Sequence, residues 1–192
     1  MAEKESSGKT FEREPAKRVF ASELREARVQ FKEGSEEMSP SYIMLPTGER
    51  CNRIFFCGEL KNKEKRGDQN IFYTARVKDA TGLFFINAGS YQQDAMLQMA
   101  SLENDSYVAV TGKPIIREMQ DGGFFVSVRV ESISEVDDGT YRLWLDDTAK
   151  ATLDRIEVFG ETEDSAKAGE FYSTDPEKYL KIIYSALAGE NY

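Results

Sequence analysis

Apolar and polar residues alternate with a period of two along residues 71–89, interrupted once by Asp79-Ala80-Thr81-Gly82. The pattern predicts two strands, 71–78 and 83–89, joined by a four-residue turn. Pairing Lys78 with Leu83 sorts the hairpin into two faces. Tyr73, Ala75, Val77, Phe84, Ile86 and Ala88 make a packing surface, while Phe72, Thr74, Arg76, Lys78, Leu83, Phe85 and Asn87 make an open one. Short strands of the same kind are predicted over residues 53–60, 107–116 and 124–133, the last two meeting at the turn Gln120-Asp121-Gly122-Gly123. Residues 61–70 read as a loop. Tyr91-Gln92-Gln93-Asp94 opens a helix over 95–102, with Met96, Met99, Ala100 and Leu102 as its buried side.

The order β-β-β-α-β-β within residues 51–136 predicts an all-β core with helices, specifically a five-stranded OB-fold Greek-key barrel followed by an amphipathic helix. That helix is signalled over residues 140–160, where the period changes to helical. Leu145, Ala149, Thr152, Ile156 and Phe159 follow a 4-3-4-3 spacing with Leu153 beside them, and Asp146, Asp147, Lys150, Asp154 and Glu157 lie opposite. Two heptads are too few for a stable isolated coil. The seam must fold back on the barrel or join helices of other chains, and it is assigned as the partner-binding, oligomerisation helix. Residues 161–174 read as a flexible acidic linker and 175–192 as a final helix, started by Thr174-Asp175-Pro176-Glu177 and ended by Gly189. At the other end, residues 1–17 have the composition of a disordered tail. Residues 18–50 form an extension packing on the barrel, in which Val19-Phe20-Ala21 suits a strand and Ser22 suits a helix cap.

Charge and residue types narrow the chemistry. The chain has no histidine, which removes His-dependent nucleophiles and imidazole zinc sites. Cys51 and Cys57 lack a second pair to complete a thiolate site, and Cys57 reads as a small core residue. Thr111-Gly112-Lys113-Pro114 imitates the end of a phosphate loop without its upstream glycine. These absences predict that the protein is not an enzyme and carries no cofactor or metal. No apolar run approaches a membrane span, and the first residues have no signal-peptide core, so a cytoplasmic protein is expected. The net charge of −9 is unevenly spread: residues 51–136 carry 11 acids and 10 bases, and residues 137–192 carry 13 and 6. The predicted barrel is thus nearly neutral, so the acidic end leaves room for a local cationic groove.

Unpaired nucleic-acid strands need cations for phosphates and flat rings for bases. In an OB-fold the binding surface is the face of strands two and three with the loops joining one to two and four to five. Lys61, Lys63, Lys65 and Arg66 fall in the first loop. Arg76, Lys78, Phe85 and Asn87 lie on the face, and Arg117 and Phe125 flank the second loop. Tyr91 follows strand three, and Lys113, with Arg129, extends the cationic track.

An OB-fold followed at once by an amphipathic helix resembles the smaller subunits of the replication protein A family. The likeness sharpens at Leu45-Pro46-Thr47-Gly48, Asn52-Arg53, Ala75-Arg76-Val77-Lys78-Asp79, Ala88-Gly89-Ser90-Tyr91-Gln92, Val108-Ala109-Val110-Thr111-Gly112-Lys113-Pro114, Ser127-Val128-Arg129, and Trp144 with Asp147-Thr148-Ala149 and Thr152-Leu153. Over residues 18–159 the chain is similar to the archaeal replication protein A-associated proteins. The resemblance implies a single-stranded DNA-binding subunit for replication, repair and recombination. Its implied partners are the larger replication protein A subunit and a third small subunit, met through a helical bundle. It also implies that Tyr91 is a base-stacking aromatic, whereas Arg117 stands where the family's middle subunit has its second ring. The alternative is a structural adaptor with little direct nucleic-acid contact.

Overall fold

The computed structural model describes residues 14–35 and 39–189. In chain order the strands are β1 (Lys17–Arg18), β2 (Val29–Lys32), β3 (Ser41–Met44), β4 (Arg50–Cys51), β5 (Ile54–Arg66), β6 (Phe72–Asp79), β7 (Gly82–Ala88), β8 (Tyr107–Glu118) and β9 (Phe124–Glu135). The helices are α1 (Ala21–Arg25), α2 (Gln93–Ser101), α3 (Asp138–Glu157), α4 (Glu163–Tyr172) and α5 (Pro176–Ala188). The larger sheet runs β5-β6-β7-β9-β8, and β8 pairs again with β5, which closes the barrel. All its neighbours are antiparallel except β7 and β9. This is the expected OB-fold, with β1 added in parallel beside β5.

The hairpin register is the one the alternation dictates. Lys78 lies opposite Leu83, Arg76 opposite Phe85 and Thr74 opposite Asn87. The inward set Ala75, Val77, Phe84, Ile86 and Ala88 is buried, and Phe84 stacks on Phe56 with centroids 3.9 Å apart. Val108, Val110, Val128, Val130 and Met99 of α2 complete the interior.

Several elements differ from the sequence reading. Residues 61–66 are strand, not loop: β5 runs through them with a bulge between Lys61 and Glu64, where Asn62 takes a φ of 51°. The extension expected over residues 18–50 carries most of a second sheet, β2-β3-β4, which ends at Cys51 and whose Ile43 and Cys51 join the main core. Helix α1 begins at Ala21, so Ser22 is not its cap. Glu23 accepts the Phe20 N–H, Asp79 accepts that of Ala21 and Thr81 that of Ser22. The linker expected over 161–174 contains α4, whose N-cap Thr162 accepts the Ser165 N–H. Arg50 grips Asp164 through two hydrogen bonds of 2.6 and 2.7 Å, and the Tyr172 hydroxyl donates to the Met44 carbonyl. The expected N-terminal tail lies outside the described residues up to residue 13, and Lys17 already pairs with Ile54. Residues 190–192 of the expected final helix also lie outside them; α5 ends at Gly189, φ 73°, as the cap signal predicts. Among the described residues no helix is long and apolar enough to cross a membrane.

Candidate nucleic-acid interface

Residues of β5, β6, β7, β8 and β9 line a groove of about 650 Å³. Cross-strand pairing brings its aromatic and cationic side chains together. Arg76 faces Phe85 across the hairpin, its guanidinium 5.5 Å from the ring centroid. Phe85 in turn meets Phe125 at 5.1 Å and 53°, and Phe125 is the register partner of Arg117. Phe72, Thr74, Asn87 and Gln92 complete the wall. Phe125 and Phe72 are each 38% exposed, and Phe124 and Met119 stand exposed beside them. Phe72, Phe124 and Phe125 thus put exposed rings on one side of a closed barrel, the kind of surface at which ligands or partners are met. Neither Arg76 nor Arg117 makes an ion pair with a described residue, so both charges are available to a ligand.

Of the residues picked from sequence, Arg66, Arg76, Phe85, Asn87, Arg117 and Phe125 line the groove. Arg66 shares it with Glu64, its ion-pair partner. The others lie elsewhere. Lys61 is taken by Asp105 and Glu59. Lys63 donates to the carbonyls of Ala100 and Leu102 at the end of α2. Lys65 pairs in register with Tyr73, on the face away from the groove, because successive side chains of a strand point to opposite faces and its neighbours Glu64 and Arg66 take the groove side. Lys78 lines a different cavity with Glu59, Asp79 and Tyr107. Tyr91 sits on a 3-10 turn after β7, outside the groove lining and 97% exposed. Lys113 lies opposite Arg129 on β8 and β9. Asn62, Gln92 and Ser127 line the groove without having been singled out. Ser127 was legible as an outward position of its strand, two residues beyond Phe125.

The helical seam is occupied within the chain. Ala149 and Thr152 are buried, Leu145 and Ile156 pack against the core, and Phe159 abuts α4 at Gly169. Only Leu153 of the six stays exposed. α5 packs along α3 and sends Ile183 into the main core, while Trp144 donates to the Phe55 carbonyl and Tyr141 stacks on Tyr107. Within the single chain the barrel core and the final helix cover the seam. Both cysteines are buried, and burial pushes the Cys57 thiol up to about 12, as expected of an inert core residue.

No protein-family model matches the chain, and no curated protein matches it in sequence. Solved structures do resemble it. A chain of a replication protein A heterotrimer bound to single-stranded DNA superposes with a TM-score of 0.50 at 18% identity, over 74% of this chain and 98% of that one. A chain of the S. pombe Stn1–Ten1 complex gives 0.49 at 15% identity, over 75% and 90%. The second single-stranded DNA-binding protein of Mycobacterium smegmatis gives 0.38 at 20%, over 44% and 86%. The first of these likenesses establishes a shared fold that extends beyond the barrel.

Proposed function

We propose that the chain binds single-stranded DNA along the β6–β7 face, as a subunit of an archaeal replication protein A-type complex that protects strands opened in replication, repair and recombination. The observation that carries this reading is the contact of exposed Phe125 with half-buried Phe85 in a groove shared with Arg76 and Arg117, neither of which makes an ion pair with a described residue. Bases stack on the rings while the arginines neutralise phosphates, and the polar edge of Asn87 lies within the same groove. The protein acts by binding, without turnover. Tethering to a larger subunit multiplies a modest intrinsic affinity, since the second contact becomes intramolecular. Because α3 is covered, a partner helix must take the place of α5 or lie along the exposed Leu153, Leu180 and Tyr184.

Fluorescence anisotropy with labelled oligo-dT, oligo-U and duplex DNA tests this, using the chain alone and co-expressed with a candidate larger subunit. Single strands should be preferred over duplex. Phe85→Ala should cost about 1–3 kcal/mol of binding, as expected for one lost stacking platform. Equal affinity for duplex, or an unaltered Phe85→Ala, Tyr91→Ala double variant in the complex, would defeat the proposal. The second reading, an adaptor with little nucleic-acid contact, draws on the net charge of −9. It predicts that groove substitutions leave the DNA affinity of the complex intact.

A further inference from the structure

Beyond the groove, β8 and β9 set two cations directly opposite each other. Lys113 is the register partner of Arg129, and Arg129 is the partner of Asn87 across the parallel β7–β9 ladder. Thr74 continues the row on β6. The row points outward, because Val128 and Val130 on either side of Arg129 are buried. Neither cation makes an ion pair or hydrogen bond with a described residue, and the nearby carboxylate of Glu131 is held by Arg53. Like charges directly opposite in an antiparallel pair are destabilising. Cations on strands often guard a sheet edge, but Arg129 has a ladder partner on each side, Asn87 and Lys113, so it guards none, and Lys113 lies one residue past the last β5–β8 pair, Ile54 with Gly112. The repulsion calls for an anion.

We infer that Lys113 and Arg129 form a second phosphate-binding site, which holds the single strand after it leaves the groove. The strand passes Asn87 on the groove wall and crosses two strand spacings, about 10 Å, to reach Lys113. Its footprint therefore wraps from the β6–β7 face onto β8–β9. Arg129 can take phosphate oxygens in a bidentate fork, and Lys113 adds a point charge beside it. The inference rests on the binding reading given above.

The test compares oligo-dT of about 6 and about 16 nucleotides, lengths that fill part of an OB-fold site or all of it. Affinities of the full chain and of a Lys113→Gln, Arg129→Gln variant are measured across a salt series. The wild type should bind the long strand more tightly. The variant should keep its affinity for the short strand, lose the gain with length, and show a salt slope for the long strand reduced by about 1.4, two phosphates at about 0.7 each. The single Lys113→Gln change should remove about half of that slope difference. Because the variant loses a like-charge contact, its thermal midpoint should equal or exceed that of the wild type. An unchanged length dependence with an unchanged slope overturns the second site while leaving the groove intact. If the wild type binds neither length, the groove reading fails and the second site fails with it. A groove variant, Arg76→Ala with Phe85→Ala, should weaken both lengths alike.

Discussion

Glu23 is fully buried and joins three parts of the molecule. Its carboxylate accepts from the Phe20 N–H at 2.9 Å, Thr47 Oγ1 at 2.8 Å, Thr152 Oγ1 at 3.2 Å and Arg155 Nη2 at 2.8 Å. Arg155 is itself almost covered, so removing its partner strands a charge away from water. Glu23→Ala should cost about 3–5 kcal/mol in urea unfolding, and Glu23→Gln, which keeps the shape, should cost less. Asp79 makes a different prediction. It is buried, and burial pushes its carboxyl up to about 6 even though the N–H groups of Ala21, Thr81 and Gly82 and the Thr81 hydroxyl all donate to it. A raised carboxyl pKa means that the folded chain holds its proton more tightly than the unfolded one. This contribution is complete below about pH 3.8 and is lost as pH rises through about 6, amounting to at most about 3 kcal/mol. The advantage of the wild type over Asp79→Asn should therefore shrink between pH 4 and pH 7 in denaturant titrations; an advantage that grows would reverse the assignment. Neither role was legible in the sequence. Local rules made Ser22 a helix cap and Thr152 a partner contact, whereas the groups that define this corner come from Asp79, 58 residues beyond Ala21, and Arg155, 132 residues beyond Glu23.

Elements were legible where short-range chemistry sets them. The β6–β7 hairpin follows from its alternation and its four-residue turn, and α5 follows from its cap and Pro176 at the start and Gly189 at the end. The Lys61–Arg66 run was not, because a bulged strand and a basic loop have the same composition. The consequence is sharpest at Lys63. Its ammonium caps the carbonyl end of α2, where a cation is favourable against the helix dipole. Lys63→Ala should cost about 1 kcal/mol of stability and leave oligo-dT affinity unchanged, while Arg76→Ala weakens binding without that loss. A loss of affinity at Lys63 equal to that at Arg76 would return this run to the binding track. Helix α4 escaped notice for a related reason. Its residues are small and acidic, and its position depends on remote partners. Arg50 holds Asp164, and Gly48, at a φ of 86°, lets Ser165 approach so closely that a Cβ there would lie 2.6 Å from the serine Cβ. Such contacts leave no periodic trace.

At the scale of the whole molecule, the acidic surplus and the cationic groove act over different distances. A chain of this length has a radius of gyration of about 16 Å. Charges are felt over about 30 Å at 0.01 M salt but only about 8 Å at 0.15 M. At the lowest salt a nucleic acid therefore meets the full charge of −9, and at physiological salt it meets the groove arginines. Counterion release pulls in the opposite sense, weakening binding steadily as salt rises. The two together should bend the plot of log affinity against log salt, making it shallow below about 0.03 M and steeper above about 0.1 M. Glu157, Glu161 and Glu170 are exposed acids of the C-terminal part without ion-pair partners among the described residues. Changing all three to glutamine should raise oligo-dT affinity at 0.01 M and leave it unaltered at 0.15 M, as read by anisotropy. A gain of equal size at both salts would place those carboxylates within a screening length of the bound strand, which would route the strand over the helices instead of around the barrel.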